Sequence, residues 1–285
     1  MATPELRALQ RDIIEQLYVN PTFDRMHEIE QRTEFLANYL QAAGMRSLVL
    51  GISGGVDSLV GGCLSQRAVE LCRSRGYEAS FIAMRLPYGT QHDEADAQLS
   101  LRVIQPDETL VVDIKPASDS MLEHCLSAGL EFRDEAQRDF VLGNIKARQR
   151  MIAQFAVAGA RQGLVVGTDH AAEALMGFFT KYGDGAADVT PLTGLNKRRV
   201  RALAEAMGAP AEQVHKVPTA DLESLTPLKP DEVAMGVSYQ EIDDFLEGKQ
   251  VSDQAYEVII STFRRTAHKR ELPAFPVTTG LVDSN

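Results

Sequence analysis

The sequence predicts a three-layer α/β/α fold on a mainly parallel, five-stranded sheet, and three observations lead to it. Short apolar runs alternate with longer helical patterns, the order that a parallel sheet with helical crossovers requires. A glycine-rich turn, Gly51-Ile52-Ser53-Gly54-Gly55-Val56-Asp57-Ser58, closes the first of these runs and opens a helical one. No internal repeat, low-complexity tract or linker interrupts the 285 residues, so a single domain over 1–285 is expected.

Residues 4–17 and 24–42 carry helical patterns before the sheet begins. The apolar run 47–52 is the first strand, and 58–75 is the helix leading away from it. Residues 80–86 form the second strand, 91–104 a helix and 109–114 the third strand. A polar helical stretch at 118–128 precedes a long helix over 137–162. On that helix Val141, Ile145, Ile152 and Phe155 share one side, and Met151 and Ala158 another. Gly163-Leu164-Val165-Val166-Gly167 is apolar throughout and short, the pattern of a strand buried on both faces. Residues 169–178 and a helix at 196–207 follow it. Residues 219–231 hold prolines at 227 and 230 and few apolar positions, which predicts a mobile loop. Helices at 239–246 and 253–268 complete the chain.

Composition narrows the class. Hydrophobic residues make up 44% and charged residues 24%, ordinary for a soluble globular protein. No apolar run approaches the ~20 residues of a membrane span. The start, Met1-Ala2-Thr3-Pro4-Glu5-Leu6, lacks a basic-then-apolar leader, so a cytoplasmic protein is expected. A net charge of −11 argues against general nucleic-acid affinity, which needs a basic field. Cys63, Cys72 and Cys125 are scattered and form no C-x-x-C, which speaks for reduced, partly buried thiols. The six histidines show no metal-ligand spacing, and His124 and Cys125, as helix neighbours, point apart.

The chemistry concentrates in the first turn. Adjacent glycines let the backbone aim several N–H groups at an anion, at the positive end of the following helix. An ordinary strand–turn–helix corner explains a lone Gly-Gly pair, but not the complete Ser-Gly-Gly-x-Asp-Ser. A Walker-type loop would carry a lysine; here Asp57 stands nearby, and an acid suits a phosphate site when it holds a bridging metal ion. Thr168-Asp169-His170-Ala171-Ala172-Glu173 starts straight after a buried strand. Thr168 or Asp169 suits a helix cap, and Glu173 is either a solvated helix acid or a second magnesium carboxylate. The segment 178–185 is either a ligand clasp or a surface turn. Asn196-Lys197-Arg198-Arg199 places cations at a helix start, against the dipole, a mismatch that a nearby anion relieves. The turns at 51–58, 85–91 and 168–173 all leave the carboxyl ends of strands and are expected to converge.

Together these blocks resemble a known family. Ser53-Gly54-Gly55-Val56-Asp57-Ser58 resembles the pyrophosphatase-type loop of the N-type ATP pyrophosphatases. Four further blocks resemble the ammonia-dependent NAD synthetases of bacteria: Gly167-Thr168-Asp169-His170-Ala171-Ala172-Glu173, Gly177-Phe178-Phe179-Thr180-Lys181-Tyr182-Gly183-Asp184-Gly185, Pro218-Thr219-Ala220-Asp221-Leu222-Glu223 and Thr266-Ala267-His268-Lys269-Arg270. The likeness runs from Val49 to Arg270. It implies an adenine nucleotide alpha hydrolase-like, Rossmann-like fold and ATP-dependent amidation of deamido-NAD by ammonia, releasing AMP and pyrophosphate.

Carried over, the resemblance implies ATP binding by Gly51, Ile52, Ser53, Gly54, Gly55, Val56, Asp57, Ser58, Arg85, Gln91, Thr168, Lys197 and Thr219. Ser53 and Lys197 would stabilise phosphate charge, with Lys197 replacing the missing loop lysine. Deamido-NAD would meet Lys181, Asp188, His268 and Lys269, and Mg2+ would sit on Asp57 and Glu173. Asp184 and Asp188 are candidates, on charge alone, for the base that takes ammonia's proton. A homodimer is implied, with the 137–162 helix a candidate contact. Some members of the family place a basic residue where Leu142 stands, just before Gly143-Asn144. A glutamine-dependent version needs an amidotransferase domain, for which the residues before Ser47 are too few. A tRNA-modifying relative should be basic. A non-catalytic nucleotide-binding regulator need not keep Asp57, Glu173 and Lys197 together.

Overall fold

Side-chain alternation along the central strands sorts the molecule into layers. In β1 (Ser47–Gly51) Leu48 and Leu50 face one side and Val49 the other. In β2 (Ser80–Arg85) Phe81 and Ala83 take the first side, Ile82 and Met84 the second. All seven are at most 3% exposed, so both faces of the sheet are covered. The computed structural model describes residues 4–89, 94–220, 222–223, 225 and 229–276.

The sheet is parallel and ordered β3-β2-β1-β4, with β3 at Glu108–Val111 and β4 at Gly163–Val165. It has four strands among the described residues, one fewer than expected. The next position beside β4 holds only an isolated parallel bridge between Val166 and Val189. Asp188 caps that edge by accepting the Val165 N–H on its carboxylate at 2.7 Å, and Pro191 has no N–H with which to extend a ladder.

Two helices precede the sheet, α1 (Pro4–Gln16) and α2 (Arg25–Ala42). Helix α3 (Val56–Ser74) begins two residues before the sequence reading, which puts Asp57 in its first turn. Helix α4 is Glu94–Ile104, and Gln91 lies outside the described residues. Helix α5 (Lys115–Ser127) starts at 115 rather than 118, with Pro116 in its first turn, where a missing N–H costs nothing. Helix α6 (Glu135–Ala160) follows, then α7 (Ala171–Met176), α8 (Lys197–Ala206) and α9 (Ala211–Val214). The expected loop at 219–231 contains β5 (Thr219–Ala220), paired antiparallel with β6 (Lys229–Pro230). Residues 221, 224 and 226–228 lie outside the described set. Helices α10 (Asp231–Met235) and α11 (Tyr239–Leu246) come next. The last predicted helix breaks at Thr266 into α12 (Asp253–Arg265) and α13 (Ala267–Arg270). Among the described residues no helix is long and apolar enough to cross a membrane.

Helices α2, α3 and α8 close the Leu48 face, while Ala158 of α6 and Ile114 before α5 close the Val49 face. A second core joins α1, α7, α11 and α12 through Ile13, Leu175, Phe245 and Ile259, all at most 1% exposed. The chain steps from β1 to β2 on one side and reaches β4 on the other. The crevice between β1 and β4 is therefore the topological switch point, where such sheets bind ligands.

The start of α8 resolves its charge mismatch. Asn196 accepts the Arg199 N–H at 2.9 Å, and buried Asp243 of α11 accepts the N–H groups of Lys197 (3.0 Å) and Arg198 (2.8 Å). The anion that relieves the dipole is thus a side chain of the protein. Asp243→Ala is expected to lower stability by about 2–4 kcal/mol, through two lost charge-assisted bonds and an orphaned buried donor at Lys197. Urea unfolding of the ligand-free protein measures it, and a change below about 0.5 kcal/mol would contradict the capping role.

Candidate active site

The turn from β1 into α3 is tight because α4 crosses it closely. Gly54 has φ +92°, and a Cβ there would lie 2.8 Å from the Ala97 nitrogen, so only glycine fits. Ser53 Oγ accepts the Gly55 N–H at 3.2 Å. Ser58 Oγ accepts the Ser53 N–H at 3.2 Å and donates to the Gly55 carbonyl at 3.0 Å. Gly55 is the N-cap of α3 and offers no capping side chain, so Val56, Asp57 and Ser58 present N–H groups that have no acceptor within the helix. Outside the turn, Arg85, 1% exposed, donates to the Ile52 carbonyl at 2.6 Å and pairs with Glu94. Gln154 of α6 accepts the Gly51 N–H at 2.7 Å.

Three further side chains reach Asp57 from other elements. The N-cap of α7 is His170, not Thr168 or Asp169: its Nδ1 accepts the Glu173 N–H at 3.4 Å. In the neutral ring that bond assigns the proton to Nε2, which lies 3.5 Å from both Asp57 Oδ1 and Glu173 Oε2. Lys197, 2% exposed, places Nζ 2.7 Å from Asp57 Oδ2. Asp57, His170 and Glu173 offer atoms all within 4.8 Å of one another. The histidines do therefore contribute to a cluster with metal-ligand spacing, which the sequence reading missed. Its local trace was the three-residue step from His170 to Glu173.

The donor set suits a hard cation. Two carboxylates beside a phosphate-shaped turn match magnesium, which takes oxygen ligands. Asp57 Oδ1 is buried and has no hydrogen bond among the described residues, leaving an acceptor for an ion. Imidazole is a poor magnesium ligand, so His170 fits as the group that orients both carboxylates.

The charges are strained. Burial works against ionised Asp57, but Lys197 and His170 outweigh it and hold the carboxyl well below the usual range. Burial pushes Glu173 up to about 8, with Asp57 adding to it and His170 and Lys197 opposing. Burial, then the charges of Asp184 and Asp57, push Asp169 up to about 7. Asp184 is raised by burial despite accepting the Thr180 N–H at 2.9 Å. Burial lowers His170, yet Glu173 and Asp57 overcome it and raise the ring.

A cavity of about 490 Å³ collects most of the predicted residues. Gly51, Ile52, Ser53, Gly55, Val56, Asp57, Ser58, Arg85, Thr168, Glu173, Lys197, Thr219 and Lys269 line it, as does Asp184. Gly54, Lys181, Asp188 and His268 do not, and Gln91 lies outside the described residues. Lys269 donates to the carbonyls of Gly177 (2.8 Å) and Phe179 (2.7 Å), and Lys181 donates to the His268 carbonyl. These contacts tie the 177–185 segment to α13. Asp188 holds β4, as described above. Asp231 and Lys216 also line the cavity and had no signal in the sequence beyond their charge.

The Glu173 shift has a measurable consequence. Its carboxyl keeps a proton in the fold up to about 8, whereas the unfolded chain loses it near 4.5. Folding thus loses stability progressively as pH rises from the lower value to the upper, and the full penalty remains above it. Glu173→Gln is expected to stabilise the metal-free protein by about 1–3 kcal/mol at pH 8.5 and to leave it unchanged at pH 4. Urea unfolding in EDTA at the two pH values checks this; a variant no more stable at pH 8.5 contradicts it.

Comparison with known proteins places the chain. The NAD synthase family profile matches residues 28–273. The NH3-dependent NAD+ synthetase of Streptomyces coelicolor is 63% identical over 276 residues, covering 97% of this chain and 100% of that one. Its Burkholderia pseudomallei counterpart is 59% identical over 273 residues, 96% of each chain. The crystal structure of NAD+ synthetase from Burkholderia pseudomallei superposes with a TM-score of 0.83 at 57% identity, over 96% of this chain and 100% of that one. NMN synthetase from Francisella tularensis gives 0.78 at 34% identity, over 90% of this chain and 100% of that one. The profile runs from α2 past α13 and takes in every element that lines the cavity, so this chain belongs to the NAD synthase family.

Proposed function

We propose that this protein is an ammonia-dependent NAD+ synthetase, which uses ATP to convert deamido-NAD to NAD. The observation that carries the reading is the meeting of Asp57, Glu173 and Lys197 at the mouth of a lysine-free glycine turn. In the reaction the nicotinate carboxylate attacks the α-phosphorus of ATP and pyrophosphate leaves, giving an adenylylated dinucleotide. Ammonia then attacks the acyl carbon, AMP leaves, and the proton shed by ammonia passes to a base.

Each residue has a task in that sequence. The N–H groups of Val56, Asp57 and Ser58, with the Ser53 hydroxyl, hold the β- and γ-phosphates as a leaving group. Asp57 and Glu173 would hold a magnesium ion, which when bound offsets the charge gathering on departing pyrophosphate. Lys197 brings to the phosphates the cation that the turn lacks. Arg85 fixes the turn through the Ile52 carbonyl, and Thr168 and Thr219 border the nucleotide. Of the two acids considered for ammonia's proton, Asp184 lines the cavity and Asp188 does not, which favours Asp184.

Lys181, His268, Lys269 and Asp188 belong to the dinucleotide site in this reading. That Lys181 and His268 lie outside the cavity of one chain suits a site completed by a second copy. Helix α6 leaves Phe140, Ile152 and Phe155 56%, 51% and 36% exposed, apolar side chains that a homodimer would cover. The protomer is one domain acting in the cytoplasm.

The test is direct. Wild-type protein given ATP, Mg2+, deamido-NAD and ammonium is expected to form AMP and NAD in equal amounts, and glutamine in place of ammonium to give none. A parallel reaction with nicotinate mononucleotide reports whether the adenylyl half of the dinucleotide is needed. Asp57→Asn is expected to lower kcat at least about 100-fold. Because it also leaves Lys197 buried without its partner, the variant should lose about 3–5 kcal/mol of stability, read from its unfolding curve. Absence of NAD with ammonium overturns the reading.

A further inference from the structure

Asp231 is a carboxylate to which the reaction so far gives no task. It opens α10, is 7% exposed and lines the same cavity as Asp57, Glu173 and Lys197. Its N–H donates to the Pro218 carbonyl at 3.0 Å, and its Oδ2 accepts the Tyr239 hydroxyl at 3.1 Å. Its Oδ1 is buried and has no hydrogen-bond partner among the described residues. A buried polar atom without a partner is costly and calls for an explanation.

Tyr239 connects this oxygen to Lys197. The Lys197 Nζ lies 5.0 Å from the centre of the Tyr239 ring, and the same ring carries the hydroxyl that holds Asp231. Burial pushes the Asp231 carboxyl up, and Lys197 is the strongest charge opposing it. The Lys197 backbone is fixed by Asp243, so only its side chain is free to turn. At its tip the ammonium occupies Asp57 Oδ2, on the carboxylate assigned to the divalent ion. On one carboxylate an ammonium and a divalent cation repel at such range, so one must give way. Glu173 belongs to the ion as well. After those two, Asp231 is the carboxylate whose charge acts on Lys197.

Resting on the metal assignment above, we propose that Asp231 is a positioning residue for Lys197. When a divalent ion takes Asp57, the ammonium turns across the face of Tyr239 to Asp231 Oδ1 and is held there, beside the phosphates. The pair Asp57 and Asp231 then forms two berths for one lysine. Ion and nucleotide decide which is filled.

Mn2+, a divalent ion visible by electron paramagnetic resonance, tests this on nucleotide-free protein without turnover. Asp231→Asn keeps the side-chain shape and removes the berth, so Mn2+ affinity is expected to fall about tenfold. In a Lys197→Met background no ammonium needs rehousing, and the same substitution is expected to change affinity by about twofold or less. Should Asp231→Asn fail to fold, Tyr239→Phe probes the link from the other side, with a loss of about threefold that also disappears with Lys197→Met. Unchanged affinity in the folded single variants overturns the proposal. So does a loss that persists without Lys197, since the carboxylate would then act on the ion directly. Wild-type protein that takes up no Mn2+ sinks the metal assignment itself, and the proposal with it.

Discussion

An ammonium and a carboxylate 2.7 Å apart, the lysine 2% exposed, hold this site together, and the surrounding structure exists to bring them there. Asp57 arrives in the first turn of α3, and Lys197 in the first turn of α8. Only α8 carries a charge it would not choose without help. An acid suits the positive end of α3, but three cations at the start of α8 oppose the dipole. Asp243 removes that objection by accepting two N–H groups of α8. A buried ion pair of this kind contributes little net stability over apolar residues of the same volume, while stranding one partner costs about 3–5 kcal/mol. A contact with that balance is poorly explained as a device for stability and fits the role proposed for Lys197 as a cation held for phosphates.

Buried acids crowd this pair. Asp57 and Glu173 stand beside Lys197 and His170, Asp169 feels the charges of Asp184 and Asp57, and burial with that crowding leaves carboxyls at Glu173 and Asp169 that retain protons near neutrality. Protons are the cheapest available cations when no metal is bound. A surface designed by stability alone would replace one of these acids with an amide. Their retention fits the metal-binding role proposed for Asp57 and Glu173.

Much of the fold was legible because its signals are local. The alternation of Leu48, Val49 and Leu50 follows from a period of two, and the glycine turn announces itself within eight residues. The fifth strand was misjudged because an edge depends on what lies beside it: Asp188 and Pro191 end the ladder with a side chain and a missing N–H. The site divides along the same line. Asp57 and Glu173 follow from motif and sheet edge. His170 was passed over because its partner Asp57 lies on another element, and no spacing rule reaches that far. Gln154 on Gly51, Asp243 under α8 and Asp231 beside Tyr239 are long-range contacts of ordinary polar residues, and pattern carries no trace of them.

The two cores explain why the site lies where it does. Helix α8 buries Val200 and Leu203 against the sheet, yet its first turn is capped by Asp243 from α11, whose apolar face belongs to the second core. Helix α7 follows β4 of the sheet and buries Leu175 and Met176 in that second core, while its cap His170 faces Asp57. The Glu173–Asp57–Lys197 cluster therefore spans the seam between the cores, at the mouth of the switch-point crevice. Side chains in packed cores hold fixed rotamers, so a seam defined by two cores positions charges more rigidly than a loop could. Thr219 and Asp231, which lie between α8 and α11 in the chain, line the cavity at this seam. Lys197 is anchored by Asp243 of α11, so a ligand that contacts Lys197 touches an element of each core at once.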